Sequence, residues 1–240
     1  LQEAEDVQTQ AVKLAPSEAG IHDNLGLVRV ERGNLDGALE VLSRAREAGA
    51  SCRELSEMPA LLHRAKKGPL WTERHGIETT HFVLESDHSR DLCRQAAHLL
   101  EAALRSYAKH FPDVTIPDRK ARVYVFGGRE GYLGYASDRQ RNLAHSAGMY
   151  DPSLRELLVF LPEDRSTFVH TVRHEGFHRF LHEHLEKAPL WFNEGLAEYF
   201  ASAREAFGGE LIPGEVYEPA LGFLRPRTED LTPLSKLLRM

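Results

Sequence analysis

Cysteine is almost missing from this chain: Cys52 and Cys93 are the only two thiols in 240 residues. Two cysteines so far apart exclude a disulfide framework, and with no CxxC pair they offer neither a thiolate metal site nor a thiol redox centre. A single structural disulfide between them stays open, so the thiols do not fix the compartment. Long apolar runs are also lacking, and none approaches the roughly 18 residues of a membrane span. Positive charge is in deficit, with 30 Lys and Arg against 36 Asp and Glu and a net charge of −6, which argues against a nucleic-acid surface. The one compact basic run, HRAKK at 63–67, reads as a solvated helix end or linker. No signal-peptide pattern opens the chain, which begins at Leu1. It therefore reads as a piece of a longer protein, and cytoplasmic and exported locations both stay open.

What is present is ordinary for a globular chain: 42% apolar and 28% charged residues. Residues 1–50 read as helices, one closing at Pro16 and two more joined at RGNLD. Leu25, Gly26, Gly33, Ala38, Leu42 and Ala45 fall at offsets that demand close helix packing, with Gly26 and Ala38 small where two helices touch. Ala11 and Pro16 match the end of a preceding unit of the same kind, and the segment resembles a tetratricopeptide repeat. Such a piece buries little by itself, so further repeats upstream or docking onto the downstream part of the chain are expected. Residues 51–78, with Pro59, Gly68, Pro69 and Gly76, read as a connector.

From 79 the rhythm changes. THFVLES (80–86) is a strand pattern, 88–110 carries apolar residues at helical spacing, and ARVYVF (121–126) is a strong strand. A short helix follows at 129–136, then AHSAGMY and ELLVFLP read as a hairpin with a Pro-containing turn. The expectation is an α+β domain over 79–240, its small sheet beside helices. The closing LTPLSKLLRM reads as a helix just begun, so the domain is expected to continue past Met240.

The densest chemistry lies in TFVHTVRHEGFHRFLHEH (167–184), with five histidines in eighteen positions. Phe168, Val169, Val172, Phe177, Phe180, Leu181 and Leu185 make one apolar face, and Ser166 or Thr167 can cap the start. His174 and His178 are four apart, one turn along the axis, so two imidazoles can converge on one metal ion while Glu175 faces a water there. His170 and His182 extend the stripe, so the pentad HEGFH alone does not separate a metal helix from a His-rich surface.

APLWFNEGLAEYF (188–200) separates them. Pro189 opens a second helix that carries Glu194 and Glu198 on one face. A catalytic zinc needs three protein ligands and an open fourth position, and Glu194 supplies the third. Glu198, one turn on, is placed to take the other N–H of His174. Trp191, Phe192, Leu196, Tyr199 and Phe200 set these acids in apolar surroundings, a costly place for idle carboxylates.

HEGFH followed by PLWFNEGLAEYF resembles the gluzincin metallopeptidases, whose pattern is H-E-x-x-H and then N-E-G-x-A-x-Y. The likeness is greatest to the bacterial peptidase-MA-like domains of uncharacterised function found beside tetratricopeptide repeats. It implies a thermolysin-like catalytic domain, one zinc ion per chain held by His174, His178 and Glu194, and Glu175 as catalytic base. It also implies a peptide or protein substrate extended along a sheet edge, for which ELLVFLP is the candidate. Tyr217, and after it Tyr150, are the candidates for steadying the oxyanion. The alternative reading is a catalytically silent zinc-containing interaction module that recruits a protein partner through its helical repeats. A di-iron carboxylate site needs a second Glu-x-x-His inside a helix, whereas ETTH (78–81) and ESDH (85–88) flank a strand-like run.

Overall fold

The computed structural model describes residues 2–49, 53–116, 119–137, 143, 146–185, 188–216, 218, 221–222, 225–226 and 232–237. They fall into two compact units, Leu1–Trp71 with Ser153–Arg155, and Thr72–Pro152 with Glu156–Met240.

The first unit is helical: α1 (Gln2–Leu14), α2 (Ala19–Glu31), α3 (Leu35–Glu47) and α4 (Arg53–Lys67). Gly33 turns the chain between α2 and α3 at φ 74°, a conformation that glycine adopts without strain. Asn34 then caps α3 by accepting the Gly37 amide at 2.9 Å. The expected close approach is present: a Cβ on Gly26 would lie 2.7 Å from Leu42 Cδ2, and Ala38 is fully buried. Helix α4 lies in the segment read as a connector and runs through Pro59. An internal proline costs a helix about 3 kcal/mol, and burial of Leu62 and Ala65 against Val30, Ala38 and Leu42 offsets it.

The second unit is α+β. Its five strands, β1 (His75–Glu78), β2 (Phe82–Ser86), β3 (Ala121–Phe126), β4 (Gly148–Asp151) and β5 (Glu156–Phe160), lie in the order β1-β2-β3-β5-β4. The inner strands β2, β3 and β5 are parallel, and β1 and β4 close the two edges antiparallel. Helix α5 (Arg90–His110) crosses from β2 to β3, α6 (Arg129–Ala136) follows β3, and α7 (Arg165–His182) and α8 (Leu190–Ala201) follow β5. A two-stranded ribbon, β6 (Arg204–Glu205) with β7 (Leu211–Ile212), comes next, and Leu234–Leu237 is helical.

This order corrects one expectation. ELLVF is not a sheet edge: β5 pairs with β3 on one side and β4 on the other, and all five of its residues are buried. An uninterrupted apolar run belongs in the middle of a parallel sheet. The edge is β4, which packs beside α7 at Gly148, where a Cβ would fall 2.7 Å from Thr171 Cγ2 and 2.9 Å from the Leu158 carbonyl oxygen. A backbone oxygen cannot swing aside, so Gly148→Ala is expected to cost about 1–3 kcal/mol. Thermal unfolding would show this as a loss of roughly 2–4 °C per kcal/mol.

The core joins the sheet to α5, α7 and α8 through an aromatic nest. Phe177 stacks on Phe200 at 5.0 Å, and Tyr107 meets both edge-on. The Tyr107 hydroxyl donates to the Arg173 carbonyl at 2.7 Å, and buried Arg173 donates to the Ala203 carbonyl at 2.6 Å. Gly176 lets α7 approach α5, since a Cβ there would sit 3.0 Å from Leu100 Cδ2. Among the described residues no helix is long and apolar enough to cross a membrane.

Candidate metal centre

Helix α7 begins at least two residues earlier than a cap at Ser166 or Thr167 would allow. Asp164 is the N-cap, and its carboxylate accepts the amides of Ser166 at 3.2 Å and Thr167 at 2.8 Å. The two hydroxyls donate to the same carboxylate instead of capping the helix themselves. From there α7 presents two faces. Phe168, Val172, Phe177 and Phe180 enter the core, leaving His170, His174, Glu175, His178 and His182 toward α8 and β4.

The two Nε2 atoms of His174 and His178 lie 3.0 Å apart. Glu194 closes the triangle from α8, with Oε2 3.3 Å from His174 Nε2 and Oε1 3.6 Å from His178 Nε2. A tetrahedral ion with bonds near 2.05 Å separates its ligand atoms by about 3.3 Å, and these three edges bracket that value. The donor set therefore fits a divalent cation. Among the described residues this is the one group of three such side chains whose ligand atoms come within 4.8 Å of one another.

The opposite ring nitrogens have oxygens nearby as well. His178 Nδ1 is 2.9 Å from Asn193 Oδ1, which as an acceptor places the proton on Nδ1 and leaves the Nε2 lone pair toward the triangle. His174 Nδ1 lies 3.1 Å from Glu198 Oε1, whose second oxygen is 3.2 Å from His170 Nε2. Glu198 thus spans two members of the histidine stripe. The expected apolar setting of the acids is not what the structure has: the Glu194 and Glu198 side chains are 48% exposed. Their packing partners are imidazoles, because only Ala197, Phe200 and Ala201 of α8 are buried.

Hydrogen bonds from His170 and then His174 hold the Glu198 carboxyl down at about 2, and the His174 bond likewise lowers Glu194. Burial alone would depress His174, but the carboxylates of Glu194, Glu198 and Glu175 outweigh it and raise the imidazole to about 10. At neutral pH the metal-free ring is therefore protonated, and an ion must displace that proton. Affinity for a divalent cation is expected to rise about tenfold per pH unit between pH 7 and 9, levelling above 10, with about one proton released per ion. Calorimetry in buffers of different ionisation enthalpy measures both.

Glu175 stands one step round α7 and faces the same cavity of about 400 Å³ as the two histidines, Glu194 and β4. Burial pushes its carboxyl up, opposed by His174, His178 and a hydrogen bond from the Tyr150 amide. An acid so placed holds its proton more readily than an ordinary carboxylate.

No family model, curated protein or solved structure matches the chain.

His174, Glu175, His178, Glu194 and Glu198 are thus brought together. Tyr217 lies outside the described residues. Tyr150 is in the cavity wall, its hydroxyl 3.2 Å from His182 Nδ1. Glu78 and Glu85, the acids of the two other Glu-x-x-His matches, pair with Lys120 and Arg74, and His81 pairs with Glu101 at 2.8 Å. Two contributors are not evident from sequence pattern. Asn193 had a signal, an amide directly before Glu194. The Tyr150 amide had none, since a backbone donor leaves no trace in residue type.

Proposed function

We propose that this chain is a zinc-dependent peptidase of the gluzincin type, with a thermolysin-like catalytic domain and an N-terminal tetratricopeptide-like segment that takes a protein partner. One observation carries the reading. Two imidazoles and a carboxylate form a triangle of 3.0, 3.3 and 3.6 Å, with a further carboxylic acid in the same cavity. Two His and one Glu with an open position is a ligand set for catalytic zinc. A purely structural site has no use for Glu175.

In this proposal His174, His178 and Glu194 hold the zinc, and Asn193 and Glu198 orient the rings. When bound, the ion acidifies water and polarises a carbonyl. Glu175 takes a proton from the attacking water and hands it to the departing amine, and its raised pKa suits both halves of that task. The substrate backbone lies extended along the free side of β4, where Gly148 and Tyr150 line the cavity.

The test uses the whole chain and an unfolded protein substrate. Cleavage is expected with zinc, is lost on chelation, and returns when about one equivalent of zinc is restored. A chain that binds one zinc and cleaves nothing across a broad peptide library overturns the reading in favour of a silent interaction module.

A further inference from the structure

We propose that His170 is a positioning residue for the metal centre, an assignment that rests on the zinc-ligand part of the reading above. By bonding one oxygen of Glu198 it keeps the other against His174, and so fixes which nitrogen of that ring is free for an ion. His170 stands one turn before His174 on α7, the two ring centres 6.1 Å apart. Its Nε2 lies 3.2 Å from Glu198 Oε2, and Glu198 Oε1 lies 3.1 Å from His174 Nδ1. Among the described residues the Glu198 carboxylate has no polar partner besides these two imidazoles. Neither His170 nor Glu198 lines the cavity, so the route from His170 to the triangle runs through Glu198 and then His174.

A carboxylate at neutral pH can only accept hydrogen bonds, so the proton between His170 and Glu198 sits on His170 Nε2. Without that donor Glu198 has little to hold it. Its side chain is 48% exposed, and one turn back on α8 stands Glu194, a like charge that repels it. His170 is the better anchored of the two, with a side chain 13% exposed on a helix whose neighbouring Phe168 and Val172 are in the core. His174 Nδ1 is buried, and Glu198 Oε1 is within reach of it but off the line of its N–H. A small turn of the ring brings the two into line only while the carboxylate stays where His170 holds it. In the neutral ring the proton then belongs to Nδ1, and the lone pair of Nε2 points at Glu194 and His178. A Glu198 swung toward solvent would let the ring carry its proton on Nε2, where it excludes an ion.

The test measures zinc affinity of the whole chain by competition with a chromophoric chelator. His170→Phe, which keeps the bulk of a ring and removes both nitrogens, is expected to weaken zinc binding about tenfold, the lower end of the loss for groups that orient a ligand. Glu198→Ala should lose about 10–100-fold. Adding His170→Phe to it should cost nothing more, because the link is already cut. His170→Gln, whose amide N–H can donate to the same oxygen, should recover most of the affinity. In the cobalt-loaded chain His170→Phe should shift the visible absorption band and His170→Gln should restore it, which a change in packing alone would not do. Unchanged affinity in His170→Phe, or losses that multiply in the double variant, overturn the assignment and leave the peptidase reading standing. A wild-type chain that takes up no zinc overturns both.

Discussion

Glu175→Gln is expected to leave one zinc per chain and to lower kcat/KM on an unfolded protein by about 10²–10⁴, the range that a positioned general base supplies. Glutamine has nearly the same shape and can still accept the Tyr150 amide, so the cavity wall is preserved. What it cannot do is take a proton. The three candidate ligand atoms belong to His174, His178 and Glu194, so elemental analysis should find the metal content unchanged. Loss of cleavage without loss of zinc assigns proton transfer to this side chain. Full activity in the variant removes the base from the mechanism.

The second large effect is expected from His178→Ala. Removing a neighbour that only orients a ligand costs about 10–100-fold in affinity, and removing a ligand should exceed that. Zinc content is expected to fall from about one per chain to near zero after dialysis against a weak chelator. The fold should survive, because the apolar contacts of α7 come from Phe168, Val172, Phe177 and Phe180 on its other face. Melting of the metal-free variant should stay within a few degrees of the metal-free wild type. A variant that keeps its zinc places the ion elsewhere.

Much of this arrangement was legible because it depends on spacing. Four-residue intervals put His174 over His178 and Glu194 near Glu198 whatever the tertiary context, and only the approach of α8 to α7 had to be supplied. Helix α6 and strand β3 have the bounds that their residue pattern suggests. The misses have physical causes. The strand order of a sheet is a long-range property, so the hairpin was visible but not which of its strands lies outermost. HGIE is a short edge strand with alternating partial burial and no strong β-formers except Ile77. Pro59 read as a breaker because the burial that offsets it, at Leu62 and Ala65, involves residues distant in sequence. The setting of Glu194 was misjudged since flanking aromatics do not say which way a helix turns.

The packing of α8 is uneven along its length. Its buried residues, Ala197, Phe200 and Ala201, all lie in the last turn and a half, while Leu190 at its start is 73% exposed. The stretch that bears Asn193 and Glu194 meets α7 through polar contacts, Asn193 with His178 and Glu194 with both imidazoles. A cation bridging Glu194 to the two imidazoles would act as a rivet at the loose end of a cantilever whose root is already clamped by Phe200. Any favourable binding of the ion adds to the stability of the folded chain, and here it would be spent on pinning that free end.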